Sequence, residues 1–262
     1  MAKTRINNIE IAYDDTGSGP AVVLVHGYPF NRSLWTEQVS ALADRYRVVA
    51  LDLRGHGESE ASTGASTMKL MAQDIAGLMD ELQIDRAVIG GLSMGGYVTL
   101  AFYQLFPERV EKLLLADTRA QADTDEAKAT RADQVQQILA DGMTGIVNAM
   151  LRKLLSPETV SKQPEIVKRV RDMMMHTTPE GAVGALRGMA EREDQTARLA
   201  HINVPTLIVV GKDDPITPVA DSEKMHERIA GSQLVVIENA SHVSNIEQPQ
   251  QFNRALKDCL SS

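Results

Sequence analysis

The sequence predicts an α/β protein, with a mostly parallel central sheet, helices on both faces and a helical cap inserted into it. Three observations predict this. Short, apolar, β-branched runs recur along the chain, amphipathic helical patterns lie between them, and the alternation stops from residue 119 to residue 199 before resuming at Val204. The chain therefore reads as a core of residues 1–118 and 200–262 with a cap of residues 119–199.

Taken in order, Ile9-Glu10-Ile11-Ala12-Tyr13 alternates apolar and polar, as in an antiparallel strand with one covered face. Residues 22–25 and 48–51 are continuously apolar and bounded by turn formers, as strands buried on both faces must be. Met71, Ile75, Leu78 and Leu82 recur at spacings of four, three and four, and so share one helix face. Residues 87–90, 113–116, 206–210 and 234–237 repeat the buried-strand pattern. The segment 119–199 has no convincing strand. It holds six of the twelve methionines, Met143, Met150, Met173, Met174, Met175 and Met189. These either pack between cap helices or line an adaptable apolar pocket.

A length of 262 residues suits one large core with an insertion. The net charge of -8 argues against nucleic acid and offers no basic run for an anionic membrane. No secretory-signal pattern and no bilayer-length apolar run is present, which predicts a cytoplasmic protein. The single cysteine, Cys259, is expected to be structural. Only 4% of residues are aromatic, so a substrate is expected to meet aliphatic packing more than stacked rings.

The chemistry centres on Gly91-Leu92-Ser93-Met94-Gly95, which lies between an apolar run and a helical pattern. A serine that projects from a strand-to-helix turn needs a sharp reversal, and the flanking glycines remove side chains that would clash. The N–H of Met94, at the start of the helix, points to where negative charge would develop on an attacked carbonyl. A serine hydroxyl needs a base, and His242 follows the last predicted strand, at the sheet edge where open α/β folds bind ligands. The imidazolium needs an acid. Asp214 is preferred, Asp213 is expected to be solvated, and Asp117 is a rival because it also ends a strand. Thr217 and Pro218 are expected to start the following helix as N-cap and first residue. The N–H of Tyr28, after Gly27, is the expected second oxyanion donor. His26 and His56 are expected to make structural hydrogen bonds, while His176, His201 and His226 are expected to be solvated. Pro29, Met143, Met150 and Val243 are candidate pocket residues. No metal or organic cofactor is required.

With His26-Gly27-Tyr28-Pro29, the segment Asp52-Leu53-Arg54-Gly55-His56-Gly57-Glu58-Ser59, the serine pentapeptide, residues 211–215 and Ser241-His242 in this order, the chain resembles the α/β-hydrolase family nearly end to end. Within it, the sequence is similar to small esterases, to non-haem haloperoxidase or perhydrolase-like enzymes, and to 3-oxoadipate enol-lactonases. The resemblance implies a helical cap that shapes the pocket. Ser93 stands where relatives that cleave carbon–halogen bonds or epoxides have an aspartate. Pro29 resembles the perhydrolase-like members, which would let peroxide compete with water.

The expected activity is hydrolysis of a small-molecule carboxylic ester through Ser93, His242 and Asp214. A lactone is the alternative substrate, with Arg119 or another cap arginine facing a carboxylate. From a different class comes a ligand sensor on the same scaffold, which slow turnover with tight binding would reveal.

Overall fold

Strands made of valine, leucine and alanine have no face that prefers water, so they are stable only inside a sheet covered on both sides. In the computed structural model, which describes residues 1–261, they form the middle of one eight-stranded sheet, except residues 234–237, which lie in an edge strand and are mostly half-buried. Its strands are β1 (Ala2–Ile6), β2 (Ile9–Thr16), β3 (Ala21–Val25), β4 (Arg47–Leu51), β5 (Ala87–Leu92), β6 (Val110–Ala116), β7 (Thr206–Gly211) and β8 (Gln233–Ile237). Their order is β1-β2-β4-β3-β5-β6-β7-β8. Pairing is antiparallel where β2 meets β1 and β4, and parallel from β4 through β8. This is the predicted α/β-hydrolase architecture.

Two differences from the sequence reading have physical causes. β1 was not anticipated, because an edge strand covers little: only Ile6 of its five residues is buried. β5 runs on through Gly90 and Gly91 to Leu92, where glycine normally signals a turn.

The helices of the core are α1 (Thr36–Leu42), α2 (Met68–Glu81) and α3 (Met94–Leu105). Met71, Ile75 and Leu78 of α2 are buried as their spacing predicts, and the Thr67 hydroxyl caps the helix by accepting from the Leu70 N–H. Between β6 and β7 lie α4 (Asp125–Asp141), α5 (Met143–Leu154), α6 (Pro157–Lys162), α7 (Pro164–Met175) and α8 (Pro179–Ala190). Proline opens α6, α7 and α8, where a missing N–H costs nothing. Thr124, Ser156 and Thr178 cap α4, α6 and α8 through their hydroxyls. After β7 come α9 (Val219–Arg228), α10 (Ser244–Glu247) and α11 (Pro249–Ser261). Cys259 is buried on α11. Among the described residues, no helix is long and apolar enough to cross a membrane.

Of the six methionines between β6 and β7, Met143, Met173, Met174 and Met189 are buried, Met150 is half-buried and Met175 is exposed. Most of them therefore act as packing.

The segment from Asp52 to Ser59 is a structural seam. The buried Asp52 carboxylate accepts from the N–H groups of Arg32 and Glu58 and pairs with the Arg32 guanidinium. Arg54 forms a two-bond pair with Asp74 of α2, at 2.7 Å for each bond, with both side chains buried. The Ser59 hydroxyl joins Asp52 to β2 by donating to the Asp52 carbonyl and accepting from the Ala12 N–H. The strand ends next to the loop after β3 are thereby held in place.

Candidate active site

Ser93, the turn residue between β5 and α3, has φ 57° and ψ -114°. An L residue adopts such backbone only when its surroundings impose it. Here the Ser93 N–H donates to the Ala116 carbonyl at 2.9 Å, and the Thr118 hydroxyl donates to the Ser93 carbonyl at 2.8 Å. The end of β6 thus clamps the turn from both sides. Side chains at Gly91 and Gly95 would run into the Gly95 carbonyl and the Val25 carbonyl, so the turn needs glycine at both places.

His242 comes from the loop between β8 and α10, and Asp214 from the loop between β7 and α9. His242 Nε2 lies 2.8 Å from Ser93 Oγ, and His242 Nδ1 lies 2.8 Å from Asp214 Oδ2. Ser93 is partly exposed, whereas His242 and Asp214 are buried. Asp214 Oδ1 accepts from the N–H groups of Ile216, at 2.8 Å, and Thr217, at 3.1 Å, and Oδ2 accepts from the Thr217 hydroxyl at 2.6 Å. Burial works against the Asp214 charge, but His242 and the Thr217 donors outweigh it and hold the carboxyl below its usual range. The neighbouring Asp213 is exposed, and its N–H donates to the Ala240 carbonyl, which joins the two loops.

Thr217 corrects the sequence reading. Its hydroxyl is committed to Asp214, so α9 begins at Val219 with Pro218 as its cap residue. Arg119 is also not free for a ligand, since its guanidinium donates to the Ile216 carbonyl and lies 3.5 Å from Asp221 of α9. The rival acid Asp117 does not reach His242. Its carboxyl meets the Gly211 N–H at 2.8 Å and the Ser244 hydroxyl at 2.6 Å. Sequence reasoning missed Thr118, Ser244 and Glu247. Glu247 Oε1 accepts from the Ser241 N–H at 2.6 Å and Oε2 from the Ser156 N–H at 2.8 Å, and nothing in a one-dimensional pattern pairs residues so far apart.

The loop after β3 lies against the Ser93 turn. A Cβ on Gly27 would be 2.9 Å from the Leu92 carbonyl and 3.2 Å from Ser93 Cβ, so glycine permits this approach. The next residue, Tyr28, is buried, as is Met94 at the first turn of α3. Among the described residues, neither the Tyr28 nor the Met94 N–H meets a protein acceptor. Two buried backbone donors without acceptors are costly unless a ligand uses them. Pro29 is buried and its carbonyl accepts from the Thr177 hydroxyl ahead of α8. Val243 is fully buried directly after His242, Met143 is buried and Met150 half-buried on α5. A surface groove of about 860 Å³ bordered by Asp14, Arg32, Lys168 and Arg169 does not include Ser93 or His242.

His26 and His56 brace this loop. His26 Nδ1–H donates to the Gly27 carbonyl, and Nε2 accepts from the Leu53 N–H, an arrangement only a neutral ring can make. His56 Nδ1–H donates to the Arg54 carbonyl, and its ring packs beside that of His26. Burial above all lowers His26 to about 4 and His56 to about 3. Between these values and the unfolded value of about 6.5, the unfolded chain binds protons that the native state refuses, so stability falls as pH falls. Each histidine is expected to remove about 1 kcal/mol per pH unit across its window. Urea midpoints measured from pH 7 down to pH 5 should decline accordingly, and a flat profile there would contradict neutral burial. His176, His201 and His226 are exposed.

A serine, an imidazole and a carboxylate joined by hydrogen bonds can move a proton away from the serine hydroxyl. The model of the alpha/beta hydrolase fold matches residues 20–249. The chain is 34% identical over 238 residues to 3-oxoadipate enol-lactonase 2 of Acinetobacter baylyi, covering 91% of this chain and 87% of that protein. It is 41% identical to a thermophilic esterase from Thermogutta terrifontis solved with malate bound, with TM-score 0.95 over 99% of this chain and 96% of that one. It is 30% identical to the enol-lactonase from Burkholderia xenovorans LB400, with TM-score 0.94 over the whole of both chains. Sheet order, strand-to-helix serine turn and matches across nearly the whole length agree, and the chain belongs to the α/β-hydrolase fold family as a hydrolase.

Proposed function

We propose that the protein hydrolyses small-molecule carboxylic esters through an acyl-enzyme formed on Ser93. The observation that carries this reading is the continuous chain from Ser93 Oγ through His242 to Asp214, with a separation of 2.8 Å at each link. In the proposed reaction, Ser93 Oγ attacks the ester carbonyl while His242 Nε2 accepts its proton. The N–H groups of Tyr28 and Met94 hold the resulting oxyanion, which accounts for their lack of protein acceptors. The intermediate collapses, the alcohol leaves with the proton from His242, and the acyl group stays on Ser93. Water then attacks with His242 as base, and the carboxylic acid is released. Asp214 holds the imidazole in the tautomer with Nε2 free.

The helices of residues 119–199 serve in this reading as a cap that shapes the pocket, with Pro29, Met143, Met150 and Val243 as its proposed lining. A fluorophosphonate that esterifies active serines tests the centre of the proposal. Intact-mass and peptide analysis should show one adduct, on the peptide containing Ser93, together with complete loss of activity. Labelling elsewhere, or an unlabelled active protein, would reject it.

A lactone is the second reading, favoured by the likeness to the enol-lactonase of Acinetobacter baylyi. A lactone is an internal ester, so the same steps open it, and the alcohol stays tethered to the acyl group. Arg131 of α4 and Arg192, just after α8, both lie on the Asp123 carboxylate, so two arginines of this segment share one buried acidic partner. Relative kcat/KM for enol-lactones and for open-chain esters of graded acyl length decides between the two.

A further inference from the structure

Asp117 stands beside the proposed triad, and the chemistry above gives it no task. It follows the last residue of β6, is fully buried, and has φ 44°, in the left-handed region. Its N–H donates to the Val209 carbonyl of β7 at 2.8 Å. Oδ1 accepts from the Gly211 N–H at 2.8 Å, and Oδ2 lies 2.6 Å from Ser244 Oγ. Gly211 ends β7 directly before the loop that carries Asp214, and Ser244 opens the short helix after His242. A single carboxyl therefore touches both the acid's loop and the base's loop.

The ionisable groups that face Asp117 are Asp214 from the β7 side and Glu247 from α10, and His242 lies beyond Asp214 as its partner. Both facing groups are acidic. Asp214 is compensated by three protein donors besides His242, and Glu247 by two backbone N–H groups. A further buried negative charge at Asp117 would repel both of them without a cation to balance it. Burial and the adjacent Asp214 charge hold the Asp117 carboxyl well above the ordinary carboxylate range. In the protonated form both contacts keep their atoms: Oδ1 still accepts from Gly211, and the bond that the Ser244 hydroxyl donates to Oδ2 reverses, with the Oδ2–H donating to Ser244 Oγ.

We propose that Asp117 is a positioning residue which, as a neutral carboxylic acid, fixes the Asp214 loop against the His242 loop without placing a second charge beside Asp214. It acts on the reaction through the angle and distance between acid and base, and it does not touch the reacting atoms. The proposal rests on the reading of Ser93, His242 and Asp214 as the triad; the Ser93→Ala variant, assayed alongside, tests that reading on its own.

The test compares kcat, KM and the pH profile of kcat/KM for Asp117→Asn, Asp117→Ala and Ser244→Ala on one short ester. Asparagine can accept from Gly211 with Oδ1 and donate to Ser244 with Nδ2, so it reproduces both bonds of the neutral acid. Asp117→Asn is expected to keep kcat within about threefold, and the acid limb of its profile is expected not to move, because no charge has been removed. Asp117→Ala is expected to lower kcat about tenfold or more with KM within about twofold, and Ser244→Ala to fall between. If Asp117 is instead charged in the native protein, Asp117→Asn removes a negative charge near His242 and weakens its hold on a proton. The acid limb then moves to lower pH, which would overturn the proposal. So would an Asp117→Asn variant as slow as Asp117→Ala, or wild-type kcat in Asp117→Ala. Should Asp117→Ala fail to fold, Ser244→Ala, which removes only the bond to the base's loop, carries the same comparison, and wild-type kcat in that variant then overturns the proposal.

Discussion

Replacing Ser93 with alanine is expected to lower kcat for a short p-nitrophenyl ester by about a millionfold, the scale on which serine hydrolases lose activity when their nucleophile is removed. The exchange removes one oxygen from a turn that is fixed by other groups: the Ser93 backbone is held by Ala116 and Thr118, and the glycines of the pentapeptide are untouched. Thermal stability should therefore stay close to wild type, so that the loss reads chemistry and not folding. Residual hydrolysis above the uncatalysed rate is expected from the oxyanion donors, which belong to the backbone. Undiminished turnover in Ser93→Ala would remove Ser93 from the mechanism.

The second large effect is expected for Asp214→Asn, about ten-thousandfold in kcat. The hydrogen bonds of the site dictate why. Oδ1 accepts two backbone N–H groups, from Ile216 and Thr217, so an amide at this position must keep its oxygen there and turn its nitrogen towards His242. An N–H donor facing His242 Nδ1 stabilises the tautomer that carries its proton on Nε2. Nε2, 2.8 Å from Ser93 Oγ, can then no longer accept the serine proton. Asp117 does not rescue the variant, since its oxygens are engaged by Gly211 and Ser244. Measured kcat within about tenfold of wild type would show that His242 does not depend on Asp214 for its tautomer.

What the sequence made legible follows from how local each cause is. The buried strands declared themselves because the two-sided burial of residues 22–25 or 207–210 favours an unbroken apolar run. The serine turn was readable because steric clash demands glycine on both sides of Ser93, at Gly91 and Gly95. The choice of Asp214 over Asp213 came from turn chemistry. By contrast, β1 was hidden because its stability lies in pairing with β2, residue by residue from Ala2 opposite Tyr13 to Ile6 opposite Ile9, and four of its side chains remain outside the buried core. Thr217 was misread because a threonine before a proline has the look of a helix cap, while in the folded chain the acid three residues earlier competes for the hydroxyl and wins. Arg119 was free on paper and is bound in three dimensions, to a carbonyl that lies far along the chain. The residues that stayed unread, Thr118, Ser244 and Glu247, act only across loops that the fold brings together.

Glu247 has a consequence for how new specificities arise on this scaffold. One of its oxygens holds the Ser241 N–H, next to His242, and the other holds the Ser156 N–H, the residue that caps α6. The helices between β6 and β7 are thus tied to the loop of His242 by this carboxylate, and by the Ser241 hydroxyl, which donates to the Lys153 carbonyl of α5. Exchanging those helices for a relative's set would be a modular operation only if the incoming segment presents a backbone N–H at the place of Ser156. A donor set that misses this place leaves a buried oxygen unsatisfied beside the loop of His242. Under the proposed function, grafts that break the junction are expected to change turnover and selectivity together.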